Sequence, residues 1–138
     1  MLKKMIRSQT VKQEQQLESF LAQHDAANPF PEDVLLTADA DYMGDGRPCH
    51  RMDIFRPREA KEAPPVLVNI HGGGFLLGKK EVNRLFCADM CRRGFVVFCL
   101  EYPLVPDVDI FTVFRALTAG IERAAALAPD FGGDASSL

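Results

Sequence analysis

Pro65-Val66-Leu67-Val68-Asn69-Ile70-His71-Gly72-Gly73-Gly74-Phe75 is the stretch on which the fold turns. Val66–Ile70 is short, apolar and rich in β-branched side chains, which predicts a buried strand. Three successive glycines then remove every Cβ from the turn that follows, so backbone N–H groups there can approach a ligand closely and point the same way. Such a turn suits an anion forming at a reacting carbonyl. A phosphate-cradling loop is the rival reading. It fits poorly, because Gly-Lys-Ser/Thr is absent and the next helical pattern starts several residues later.

Downstream, Glu81 to Arg93 reads as a helix with Val82, Leu85, Phe86 and Met90 on one side, and Gly94 lies just past its end. Phe95–Leu100 is a second continuous apolar strand, and Tyr102-Pro103-Leu104-Val105-Pro106 a rigid turn. Ile110 to Ala128 is helical again, through Val113, Phe114, Leu117, Ile121, Ala124, Ala125 and Leu127, and Pro129 ends it. Upstream, residues 8–27 lack Gly and Pro, and Leu17, Phe20, Leu21 and His24 recur at helical spacing. Asn28-Pro29-Phe30-Pro31 stops that helix. Val34 to Met43 and Cys49 to Phe55 read as a hairpin around Gly44-Asp45-Gly46, and Arg56 to Pro65 as a polar loop. A hairpin followed by strand–helix–strand–helix predicts an α/β domain whose parallel part is covered on both faces.

A length of 138 residues predicts one domain. A net charge of −3 argues against nucleic acid or an anionic membrane as partner, since both require a basic face. The short pairs Lys79-Lys80 and Arg92-Arg93 read as solvated surface. No apolar stretch approaches the ~18–20 residues of a membrane span, and no apolar region follows the basic start, so no signal peptide is expected. Cys87, Cys91 and Cys99 have no histidine near them in sequence, and with Cys49 they read as reduced, mostly buried thiols, which predicts a cytoplasmic protein. His24 and His50 read as helix-face and strand-surface residues. Asp39, Asp41 and Asp45 lack the spacing of a calcium loop and read as solvated turn carboxylates.

With these motifs in order, the chain resembles the N-terminal part of α/β-hydrolase-fold esterases of the hormone-sensitive-lipase-like kind. Glu101-Tyr102-Pro103-Leu104-Val105-Pro106-Asp107 is similar to that family's Asp-Tyr-Arg-Leu-Ala-Pro-Glu turn, with Pro103 and Val105 as departures. Ala128 to Leu138 is similar to the segment before the nucleophile strand. The resemblance implies an α/β fold: an antiparallel hairpin, then parallel β-α-β-α, ending before the nucleophile strand. It implies a cap-like helical segment over residues 1–30 and a partial hydrolase domain over 31–138. It assigns Gly73 and Gly74 as oxyanion donors and His71 and Gly72 as loop-shaping residues.

No G-x-S-x-G occurs in the 138 residues, so nucleophile, acid and base are all expected to lie outside them. Ser136 and Ser137 lack flanking glycines and read as polar loop residues. A small-molecule ester is the implied substrate, with no cofactor and no metal. In the implied strand order 1-2-4-3-5, one edge of Val66–Ile70 stands open, which predicts self-association through it. The alternative reading is a non-catalytic interaction module that kept the hydrolase scaffold.

Overall fold

The computed structural model describes residues 1–59 and 62–138, with Leu2 described through its backbone alone. The centre of the polar loop expected over residues 56–65, at 60 and 61, lies outside the described residues. Helix α1 (Leu2–Ala27) starts six residues earlier than its periodicity predicts, because nothing before Ser8 breaks a helix. The remaining elements are β1 (Val34–Asp41), β2 (Arg51–Pro57), β3 (Val66–Ile70), α2 (Arg84–Arg92), β4 (Val96–Leu100) and α3 (Ile110–Leu127). They build a four-stranded sheet in the order β1-β2-β4-β3, as expected. β2 runs antiparallel to both β1 and β4. β3 lies parallel to β4 from Val66 opposite Val96 to Ile70 opposite Leu100.

The sheet is organised around β4, whose five side chains have no exposure. A strand sends successive side chains to opposite faces. Val96, Phe98 and Leu100 therefore enter the larger core beneath α3, with Met52, Ile54, Val113 and Leu117. Val97 and Cys99 enter a smaller core beneath α2, with Phe55, Cys87, Ala88 and Cys91. Helix α3 buries Val113, Ala116, Leu117, Gly120 and Ala124 at three- and four-residue spacing, and Asp109 caps it by accepting from the Thr112 N–H at 2.7 Å.

Three local expectations are corrected. The face of α2 that packs is Cys87, Ala88 and Cys91, while Val82 and Phe86 are exposed. A 3-10 turn over Lys80–Asn83 precedes α2 and shifts its phase, and small side chains let the helix approach the sheet. In the hairpin, Pro48–His50 forms a 3-10 turn and the second strand begins only at Arg51. His50 is consequently buried, not on a strand surface, with its Nδ1 2.7 Å from Asp45 Oδ2 and its ring beside Tyr42. In α1, Leu21 and Thr10 are buried, whereas Phe20 is exposed and stacks on His24.

The tail returns to the sheet. Asp134 N–H donates to Pro64 O at 2.8 Å and Val66 N–H to Ser137 O at 2.9 Å. Val66 thus faces away from β4, and by alternation Val68 and Ile70 do too. Their edge-facing backbone groups have no partner among the described residues. All four cysteines are free thiols, and Cys87, Cys91 and Cys99 are buried.

Phe98 is fully buried on the central strand and meets Phe131 edge-on. Truncating it removes a large apolar group and leaves a cavity. Phe98→Ala is expected to lower the unfolding free energy by about 3–5 kcal/mol, read from the urea midpoint at unchanged m-value.

Candidate active site

Parallel strands present their carboxyl ends to one rim of a sheet, which is where α/β folds bind ligands. At this rim β3 runs into His71 and β4 into Glu101. His71 is buried and held on every side. Its Nε2 is 2.8 Å from Glu101 Oε1 and its Nδ1 is 2.9 Å from Gly72 O. Its ring stacks on Tyr102 at 4.2 Å between centroids, and Tyr102 Oη donates to His71 O at 2.8 Å. Burial, then the nearby Glu101 charge, raises the Tyr102 hydroxyl above its ordinary pKa.

After His71 the backbone turns left-handed. Gly73 has φ +125°, Gly74 +63° and Phe75 +62°. At Gly73 a Cβ would lie 1.7 Å from Leu77 O, so no other residue fits. Gly73 O accepts from the Leu76 and Leu77 N–H groups at 3.1 and 3.3 Å. Phe75 carries a side chain where φ disfavours one. Its ring is braced edge-on against Tyr102 and Phe114, and its carbonyl accepts from Val105 N–H at 2.8 Å. The Gly73 and Gly74 N–H groups have no acceptor among the described residues, and both glycines are exposed.

The loop returns to the sheet at Lys80, and this contradicts the expectation that Lys79-Lys80 is a solvated pair. Lys80 is 5 % exposed, with Nζ 2.7 Å from Glu81 Oε1 and 2.9 Å from both Asp39 Oδ1 and Asp53 Oδ1. Burial alone would lower its pKa. The hydrogen bonds to Glu81, Asp53 and Asp39 outweigh burial and hold the ammonium above its ordinary value. Its backbone N–H donates to Glu101 Oε2 at 3.1 Å.

The residues singled out from the sequence thus meet at one rim: His71, Gly72, Gly73 and Gly74. Ser136 and Ser137 lie elsewhere, exposed and hydrogen-bonded to Asp134. Asp41 accepts from the Gly46, Gly44 and Met43 N–H groups, which lowers its pKa, and so shapes the hairpin turn. The buried thiols are unsuited to attack. A hydrogen bond with Cys87, then burial, raises Cys99, and burial pushes Cys91 up to about 11. Sequence reasoning missed Lys80, Glu101 as a ligand of His71, and Gly78. An isolated glycine between Leu77 and Lys79 was the one available signal for the last.

The sequence profile of the BD-FAE family matches residues 52–135. The chain belongs to the BD-FAE family. This BD-FAE chain is 30% identical over 110 residues to the versiconal hemiacetal acetate esterase of Dothistroma septosporum, covering 78% of itself and 31% of that relative. It is 27% identical over 92 residues to the isoprenylcysteine alpha-carbonyl methylesterase ICME of Arabidopsis thaliana, covering 67% of itself and 22% of that protein. Among solved structures, esterase B of Lactobacillus rhamnosis superposes with a TM-score of 0.87 at 23% identity, over 96% of this chain and 42% of that one. The fold is therefore the N-terminal portion of an α/β hydrolase, and the resemblance read from the sequence is borne out. The BD-FAE chain spans less than half the length of each of these three relatives.

Two glycines separate cleanly by experiment. Gly78 has φ +113°, and a Cβ there would lie 2.5 Å from Gly72 O and 2.6 Å from His71 Nδ1. At Gly72 a Cβ meets nothing within 4 Å and φ is not left-handed. Gly78→Ala is expected to cost about 1–3 kcal/mol and Gly72→Ala less than about 1 kcal/mol, compared by urea unfolding.

Proposed function

We propose that this chain is the N-terminal part of a serine carboxylic-ester hydrolase. The observation that carries this reading is the pair of unpartnered N–H groups at Gly73 and Gly74, in a braced left-handed turn at the carboxyl end of β3. Donors fixed before the reaction stabilise a tetrahedral oxyanion without reorganising. Gly73 and Gly74 supply two of them. His71 and Gly72 hold the loop, and His71 is not the base, since both its ring nitrogens already face acceptors. In this reading the nucleophile, acid and base come from residues outside these 138.

The substrate is a small-molecule ester. Relatives named for an acetate ester and for a methyl ester support a small group on one side of the bond. Residues 1–30 act as a cap and residues 31–138 as part of the hydrolase domain. Supporting this, α1 lies against the loop, with Lys79 Nζ 3.1 Å from Glu18 Oε1 and a cleft of about 200 Å³ between Glu14, Leu17, Glu18, Gly78 and Lys79. No helix among the described residues is long and apolar enough to cross a membrane. Four free thiols support a reducing, cytoplasmic setting.

The test is hydrolysis of p-nitrophenyl acetate by the 138-residue chain beside its Gly73→Pro variant. Neither is expected to exceed buffer. A longer protein that carries this segment and its own G-x-S-x-G should turn over the ester and lose about 10²–10³-fold in kcat on Gly73→Pro. Turnover by the 138 residues that Gly73→Pro abolishes would place the nucleophile inside them and overturn the assignment.

The open edge of β3 carries the self-association reading. An unpaired, apolar edge templates pairing with another strand. Light scattering on the 138-residue chain should give a mass above its 15.3 kDa. Val68→Pro removes an edge-facing donor that bonds nothing in β4 and should return the chain to monomer.

A further inference from the structure

Glu101 holds both feet of the loop that runs from residue 71 to residue 80. Oε1 faces His71 Nε2, and Oε2 accepts from the backbone of Lys80. The first foot is the end of a strand and is already fixed. The second is not part of the sheet, and the segment before it is bonded chiefly to itself. Something else must hold residue 80 in place.

The Lys80 side chain does so. It reaches the bulge in β1, where the register shifts between Thr37 and Ala40, and it reaches β2. There Nζ meets Asp39 and Asp53, and Asp53 Oδ1 also accepts from the Asp39 N–H at 2.9 Å. Asp53 is 4 % exposed, and Lys80 is its one cation among the described residues. The Lys80 carbonyl lies 3.4 Å from Cys99 Sγ on β4. Ammonium, carbonyl and N–H of one residue are thus tied to three strands or strand ends. A buried ammonium needs such partners, so they fix its position closely.

We propose that Lys80 is a positioning residue for the oxyanion loop: its buried ammonium pins the loop's second foot to β1 and β2, so that Glu101 holds His71 and the glycine turn in register. This rests on the reading of Gly73 and Gly74 above, but the test reads the loop and not the hydrolysis.

The measurement is solvent exchange of the His71 Nε2 proton, together with the Gly73 and Gly74 amide resonances, by NMR on the 138-residue chain. Lys80→Met/Asp53→Asn removes both buried charges together and leaves neither unpaired. It is expected to keep the β4 amide pattern, accelerate His71 exchange about tenfold or more, and move the two glycine resonances. Lys79→Met, which removes the exposed pair with Glu18, is expected to change neither. A folded double variant with His71 and both glycines unchanged overturns the proposal. Should the double variant not fold, Asp53→Asn alone carries the test, with a smaller acceleration expected and unchanged exchange again overturning it. Failure of esterase activity in a longer protein leaves this result standing. An unchanged His71 signal leaves the glycine donors standing.

Discussion

The Glu101 carboxylate is the point where sheet and loop become one structure. Two oxygens serve three donors: His71 Nε2 at 2.8 Å, Tyr102 N–H at 3.1 Å and Lys80 N–H at 3.1 Å. The carboxylate sits at the last turn of the central strand, so its position is inherited from the most deeply buried element of the fold. Hydrogen bonds to a charged acceptor are stronger than neutral ones, and a low local dielectric strengthens them further. The arrangement therefore converts the rigidity of β4 into rigidity of a loop whose apolar packing on the core comes from Phe75.

That rigidity is needed because the loop is strained. Three successive residues adopt positive φ, and the third is a phenylalanine. Such a turn persists only where its surroundings over-determine it. Here the Phe75 ring wedges between Tyr102 and Phe114, and the turn after β4 ties back to the Phe75 carbonyl through Val105. The two segments that follow the parallel strands thus brace each other. The glycine N–H groups are left without partners because the backbone is committed elsewhere.

Much of this was legible in the sequence, for physical reasons that differ by element. Val66–Ile70 and Val96–Leu100 were readable because a strand covered on both faces must be apolar throughout. The glycine turn was readable because only glycine tolerates φ +125° against Leu77 O. What was hidden depended on partners distant in sequence. Lys80 looks like half of a surface pair until Asp39 and Asp53 arrive from the hairpin. His50 looks like a strand residue until the 3-10 turn at Pro48 rotates it inward. The α2 face was misread because periodicity assumes one helical phase, and the 3-10 turn before Arg84 breaks it.

Helix α1 is held differently from everything else. Apart from the buried Leu21 and Thr10, its ties to the body are ion pairs between partly exposed side chains: Arg7 with Asp107, Glu18 with Lys79 and Asp25 with Arg84. Each such pair contributes about 0–1 kcal/mol and weakens with salt. The helix contains no Gly or Pro, so nothing within it interrupts its backbone hydrogen bonding. The sheet and loop, by contrast, are joined by buried side chains and backbone hydrogen bonds that no mild change in solvent removes. The chain therefore combines a rim fixed by buried groups with a helix tied to the body largely by exposed charges. One of these pairs reaches the loop, at Lys79, but none reaches His71, Glu101 or Lys80, the residues that tie the loop to the sheet.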